Sequence, residues 1–207
     1  EEEWRASRHA CEERCHALPM PLFVKPARLG SSVGITKVKD GAALAEAVER
    51  ALVFDWLVIV EEGIDAREIE VAVLGGAPPF ASVPGEVVPG HEFYDYADKY
   101  LDDACQLLAP APISEALGGE VRQLAVAAFQ LLGCEGMARV DFLLDRRNGE
   151  LFVNELNSIP GFTSISMYPK LWALSGIPFP DLVDRLIRLA IERHRTKKRC
   201  LDRGGAA

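Results

Sequence analysis

The sequence predicts an α+β fold, on three observations. Short apolar runs that read as strands, among them Leu57–Val60 and Glu68–Leu74, recur without the regular spacing of strand–helix–strand units. Two stretches, 42–52 and 114–132, carry the composition and end signals of helices. Residues 137–163 read as two strands joined by a tight loop at Arg147-Asn148-Gly149. No internal repeat or low-complexity tract interrupts the pattern.

In order, residues 3–17 are expected to be helical, ending before Pro19 and Pro21. Leu22-Phe23-Val24-Lys25 is a short strand halted by Pro26. The glycine- and serine-rich loop 28–34 leads into a strand over 35–38. Asp40 is placed to cap the helix 42–52, because its carboxylate can accept from the first unpaired N–H groups. The strand 57–60 ends at Glu61 and Glu62, and 68–74 alternates up to Gly75-Gly76. Residues 89–112 form a long irregular stretch, a length that usually signals function. Ser114 and Gly133 bracket the helix 114–132. After the hairpin come a loop over 160–163, a short helix near 168–175 and a last helix from about Pro180. A soft division falls near Asp65-Ala66. It gives a smaller part, 1–66, a larger part, 67–195, and a frayed basic tail, 196–207.

The 207 residues carry 23 basic and 31 acidic side chains, a net charge of −8, which disfavours nucleic acid or an anionic membrane as partner. No stretch approaches the ~20 apolar residues of a membrane span. Five scattered cysteines fit free thiols in a reducing cytosol. Glu1-Glu2-Glu3 is unlike a signal peptide and reads as sequence from within a longer protein.

The hairpin carries the densest chemistry. Arg139 and Asp141 are two residues apart on its first strand, and Glu155 and Asn157 on its second, so each pair shares a face. Register decides whether the two acids meet. A two-residue turn at Asn148-Gly149 sets Asp141 opposite Leu156. A three-residue loop with Gly149 left-handed sets Asp141 opposite Glu155, and this is the expected arrangement. Two carboxylates side by side in an apolar hairpin require a cation, and oxygen ligands from Asp, Glu and Asn suit Mg²⁺ when phosphates complete its shell.

The loop Gly30–Gly34 lies between strands and lacks a Gly-Lys-Ser/Thr ending, so it is neither a P-loop nor a dinucleotide fingerprint. Such a loop can still fold over phosphates, with Lys25 as a point charge. Glu61 and Glu68, at strand ends, can accept from an adenine amino group and ribose hydroxyls. The run His91–Tyr100 interleaves aromatics with charges, as a water-excluding lid does.

Together and in this order, Phe23-Val24-Lys25-Pro26, Leu29–Gly34, Tyr94-Asp95-Tyr96 with Lys99-Tyr100, Arg139-Val140-Asp141 and Asn154–Gly161 closely resemble the D-alanine–D-alanine ligases. The resemblance covers roughly residues 20–195. It implies an ATP-grasp fold, in which two α+β subdomains hold ATP between them. It also implies formation of an acyl phosphate on one D-alanine and attack by the amine of a second, for peptidoglycan synthesis in the cytoplasm. Lys25 matches the phosphate-binding lysine, and Ser31 and Ser32 the loop over the phosphates. Glu61, Gly63 and Ile64 match the adenine site, Glu68 the ribose acid and Lys99 the lid lysine. Asp141, Glu155 and Asn157 match ligands of two Mg²⁺, with Mn²⁺ as an alternative. Arg139 and the Gly161 N–H match the oxyanion site, and with them Ser31 and Tyr100 are the expected catalytic residues. Ser166 and Met167 match the pocket for the second substrate's carboxylate. Tyr100 suggests an amine there rather than a hydroxy acid.

The resemblance also implies an N-terminal domain that this sequence does not match, so the chain by itself is expected to be weakly active or inactive. D-alanine and ATP are the implied small-molecule partners, and a homodimer is allowed for the complete protein. A ligase accepting D-lactate or D-serine second, or a nucleotide-binding module without catalysis, are the alternatives.

Overall fold

The computed structural model describes residues 1–89 and 106–204, with side chains of the last helix described as far as residue 197. Two compact units divide them, residues 1–65 and residues 66–88 with the chain from Gln106 onward.

The first unit is built on a three-stranded antiparallel sheet. Its strands are β1 (Leu22–Pro26), β2 (Thr36–Val38) and β3 (Val58–Glu62), in the order β2-β1-β3. Leu22, Val24 and Val38 point to one face and are fully buried. Against them lies α3 (Leu44–Leu52), whose buried residues Leu44, Ala47, Val48 and Ala51 follow the helical period. Asp40 accepts from Ala42 N at 3.1 Å and so caps the 3₁₀ turn Gly41–Ala43 that feeds this helix. The single helix expected over 3–17 is instead two, α1 (Glu2–Ala6) and α2 (Arg8–His16), because Ser7 leaves the helical conformation at φ −149°. Trp4 and Cys11 from these helices complete the core.

The stem of the glycine-rich loop is clamped. Asp55 accepts from Arg28 Nε at 3.0 Å, Arg28 Nη2 at 2.5 Å, Arg28 N at 3.1 Å and Leu57 N at 3.0 Å, while the guanidinium stacks over Trp56. The Arg28 side chain, followed by the Leu57 N–H, holds the Asp55 carboxyl at about 2. A depressed folded-state pKa contributes stability that is present above the unfolded value near 3.9 and is lost as pH falls through the folded value. Urea unfolding at a series of pH values should therefore steepen in its loss between about pH 4 and pH 2. Asp55→Asn should flatten that interval; an unchanged slope would show that the clamp carries no proton linkage.

The second unit holds a larger antiparallel sheet. Its strands are β4 (Ala66–Leu74), β5 (Phe80–Ala81), β6 (Gly85–Val88), β7 (Gln106–Leu108), β8 (Met137–Asp145) and β9 (Leu151–Asn157). The order is β7-β6-β4-β8-β9, with β5 also paired to β4. One face is the core: Ile69, Val71, Val73, Ala138, Val140, Phe142 and Leu144 meet Val121, Ala125 and Phe129 of α4 (Glu115–Leu131). Ser114 Oγ accepts from Leu117 N at 3.2 Å at the start of α4, as the sequence suggests.

The other face is partly covered by α5 (Met167–Leu174). Tyr168 is fully buried and donates from its hydroxyl to Val73 O at 3.0 Å; Trp172 meets Phe80 edge-on at 5.1 Å. Burial raises the Tyr168 pKa, so this phenol stays protonated and keeps its donor. The last helix, α6 (Phe179–Gly204), runs on through the basic segment that the sequence assigns to a frayed tail. No helix among the described residues is long and apolar enough to cross a membrane.

Candidate active site

The hairpin of β8 and β9 reaches the expected pairing by an unexpected route. Its loop has four residues rather than three: Asp145 N donates to Glu150 O and Gly149 N to Asp145 O, each at 2.9 Å. Gly149 sits at φ +74°, a left-handed position that glycine occupies at no steric cost. Arg147 N and the Arg147 guanidinium donate to the Asp145 carboxylate, which pins the turn and lowers the Asp145 pKa.

From this loop, Leu144 pairs with Leu151 and Phe142 with Val153. A regular ladder would then set Asp141 opposite Asn154, with Glu155 on the far face. A β-bulge between Phe142 and Asp141 takes up Asn154 instead, so Asp141 lies opposite Glu155 and Arg139 opposite Asn157. The parity of a four-residue loop and the one extra residue compensate each other. The hairpin is less buried than expected. β9 is an edge strand, and Phe152, Val153 and Glu155 are exposed, because among the described residues no further strand pairs with that edge.

On β4, Glu70 lies opposite both Asp141 of β8 and Gly85 of β6. Opposed residues of an antiparallel pair share a face. Gly85, Glu70, Asp141 and Glu155 therefore form one row across four strands, on the side away from α4. Arg139 and Asn157 form the neighbouring position. Arg139 donates from Nε to Asp141 Oδ1 at 2.7 Å and from Nη2 to Asp141 Oδ2 at 2.6 Å, and its Nε lies 3.3 Å from Glu70 Oε2. Asn157 Nδ2 donates to Asp141 Oδ2 at 3.0 Å and to Glu155 Oε1 at 3.2 Å. Burial opposes the charge on Arg139, but Asp141, then Glu70 and Glu155, outweigh it and raise the pKa. The guanidinium is charged at every working pH.

The donor set fits a divalent cation. Two carboxylates, one on the exposed edge, converge on the Nδ2–H group of one amide. Their oxygens, joined by Asn157 Oδ1 once that amide turns over, are the donor types Mg²⁺ takes when phosphates provide the rest. Among the described residues no cluster of three or more His, Cys, Asp or Glu has metal-binding geometry.

Close to the row, the start of α5 is packed by a missing side chain. A Cβ on Gly85 would come within 2.8 Å of Met167 Sδ. Ser166 Oγ accepts from Thr163 N at 3.1 Å, and a Cβ on Gly161 would meet that hydroxyl at 2.8 Å. Gly161, Ser166 and Met167 thus belong to one folded segment beside the row. Glu68 is two residues before Glu70 on β4, on the same face and half-buried.

In the first unit, the face of the sheet away from α3 carries Phe23, Lys25, Ile59 and Glu61. Lys25 Nζ pairs with Glu61 Oε1 at 2.5 Å. Ser31 and Ser32 take left-handed conformations at φ +57° and +58°, and Gly34 follows at φ +77° with Phe54 and Pro26 too close for any Cβ. Left-handed backbone costs a non-glycine residue roughly 1–2 kcal/mol, so the surrounding turn over-determines this loop. Gly63 N donates to Pro21 O, and Ile64 is half-buried in the segment after β3. Lys99 and Tyr100, with the rest of the aromatic run 91–100, lie outside the described residues.

The architecture is that of an ATP-grasp protein. The solved D-alanine-D-alanine ligase from Coxiella burnetii matches at TM-score 0.81 and 38% identity, over 97% of this chain and 54% of that one. The VanG D-Ala:D-Ser ligase from Enterococcus faecalis matches at TM-score 0.79 and 39% identity, over 89% and 54%. A family model described as the D-ala D-ala ligase C-terminus matches residues 1–188, and this chain belongs to that family. The D-alanine–D-alanine ligase of Solibacter usitatus is 52% identical over 186 residues, 90% of this chain and 57% of that protein. The chain spans about half the length of the curated relatives it matches.

Glu70 is the acid in the row that the sequence reading passes over. Its parity with Glu68 was visible in Glu68-Ile69-Glu70, but its place opposite Asp141 depends on the pairing of β4 with β8, which is remote in sequence.

Proposed function

We propose that this chain carries the nucleotide- and metal-handling apparatus of an ATP-dependent ligase that joins two D-alanines through an acyl phosphate. The observation that carries the reading is the convergence of Asp141 and Glu155 on Asn157, with Arg139 alongside. A carboxylate resists attack by an amine until one of its oxygens becomes a leaving group, and ATP supplies that group as phosphate. Mg²⁺ held by Asp141, Glu155 and Asn157 would supply positive charge against the phosphate oxygens. Lys25, Ser31 and Ser32 bind phosphates, with Lys99 of the 91–100 run. Glu61, Gly63 and Ile64 receive the adenine, and Glu68 the ribose. Arg139 and the Gly161 N–H stabilise the oxyanion that develops as the amine attacks, with Tyr100 over the second substrate. Ser166 and Met167 hold that substrate's carboxylate.

The product belongs to peptidoglycan precursor synthesis in the cytoplasm, with D-alanine and ATP as partners and a homodimer as the assembly to test by light scattering. Similarity to the VanG enzyme favours D-serine as the one alternative second substrate. Mass spectrometry of the product made from mixed D-alanine and D-serine separates the two.

Glu155→Gln keeps the shape of the side chain and removes its charge. In the full-length protein it should weaken Mn²⁺ binding on the order of tenfold or more, with a matching fall in D-alanine-dependent ADP release. Titration of the free Mn²⁺ electron paramagnetic resonance signal reads the first effect directly. Parental Mn²⁺ affinity in the variant would remove Glu155 from the site.

A further inference from the structure

We propose that Glu70 is a positioning residue: it anchors the Arg139 guanidinium while Asp141 is engaged by a divalent cation. The inference rests on the reading of Asp141 as a metal ligand. Glu70 is 6% exposed, on a strand flanked on both sides, and a carboxylate so placed requires a positive neighbour. Arg139 provides it, with Nε 3.3 Å from Glu70 Oε2.

Arg139 is also committed elsewhere, since two of its nitrogens hold the two oxygens of Asp141 at 2.7 and 2.6 Å. The same carboxylate must serve the cation. Ligation draws electron density and lone pairs away from the guanidinium and brings another positive charge close to it. Without a second carboxylate, Arg139 would have two poor choices: compete with the cation for Asp141, or swing away and leave the oxyanion position.

Glu70 resolves the conflict through position. It faces Asp141 directly across the β4–β8 ladder, beside Ala72, which faces Arg139. The guanidinium therefore lies between a carboxylate that can be given to the cation and one that stays behind. Glu70 is held in the middle of the sheet, so it cannot follow the cation outward as the exposed Glu155 can. Gly85, opposite Glu70 on its other side, brings no side chain of its own into the row.

The test is Glu70→Gln in the full-length protein, with Mn²⁺ and a non-hydrolysable ATP analogue as probes. Two changes are expected together. The kcat should fall by about tenfold or more, with the KM for ATP within about twofold, because Arg139 acts on the transition state rather than on nucleotide binding. Mn²⁺ affinity should also weaken by several-fold to about tenfold, because Arg139 then holds Asp141 more tightly. Glu70→Asp, which keeps the charge, should recover part of both and also serves should the glutamine variant fail to fold. In an Arg139→Lys background, Glu70→Gln should add less than its effect alone. A merely structural role would lower the melting temperature yet leave the kcat-to-KM split and the Mn²⁺ affinity as they were, and that result would overturn the proposal. So would effects of the two substitutions that simply multiply. Should the parent protein itself bind no Mn²⁺–nucleotide, the metal reading fails and this proposal with it; tight binding by parent and variant alike removes Glu70 alone.

Discussion

Arg139→Met should lower turnover by about 10²–10³ and also destabilise the fold, because one side chain serves both purposes. The rate loss follows from the oxyanion role proposed for Arg139, whose charged donor the substitution removes. The stability loss follows from leaving Glu70 and Asp141 facing each other without a cation between them. Removing one partner of a buried pair costs about 3–5 kcal/mol, and the 20% exposure of this side chain places the expected cost near the lower end. Steady-state kinetics and urea unfolding of the full-length protein measure the two effects separately. An unfolding midpoint equal to that of the parent would show that the two acids are relieved by some other group. Arg139→Lys should restore much of the stability but little of the rate, since an ammonium cannot reproduce the two-pronged contact with Asp141.

The largest expected effect on stability alone comes from Trp172→Ala. Trp172 is 1% exposed, packs edge-on against Phe80 and neighbours Tyr168 at 6.3 Å between ring centroids. Emptying such a site costs about 3–5 kcal/mol, which corresponds to roughly 10 °C in melting temperature for a protein of this size. The consequence reaches the chemistry. Trp172 fastens α5 to β5, and the first turn of α5 carries Met167 beside Gly85 in the acidic row. On the proposed reading the KM for the second substrate should therefore rise, while Mn²⁺ affinity, assigned to ligands on β8 and β9, changes little. Equal loss of both would mean that the sheet, rather than α5, has been disturbed.

What could be read from the sequence was local. Arg139 with Asp141, and Glu155 with Asn157, were recognisable as pairs because strand parity is a two-residue rule. The caps at Asp40 and Ser114 were recognisable because a side chain and the N–H groups it serves lie within three residues of each other. What escaped was short, or depended on remote partners. β5 and β7 have two and three residues, too few to show a period. Ser7 breaks a helix whose composition is continuous across it. The exposure of β9 is a property of the sheet's edge, which no residue of β9 encodes alone. The bulge at Asn154 was hidden by a coincidence of counting: a three-residue loop with a regular ladder and a four-residue loop with one extra residue bring the same acids together.

That coincidence separates two design problems within one hairpin. The bend at one end can be rebuilt so long as Asp145 still faces Glu150, because that pair sets the ladder phase to which the single step at Asn154 is matched. Sequence drift around Arg146–Gly149 is thereby insulated from the chemistry some five residues away, whereas a single insertion or deletion between Leu151 and Glu155 has no such buffer.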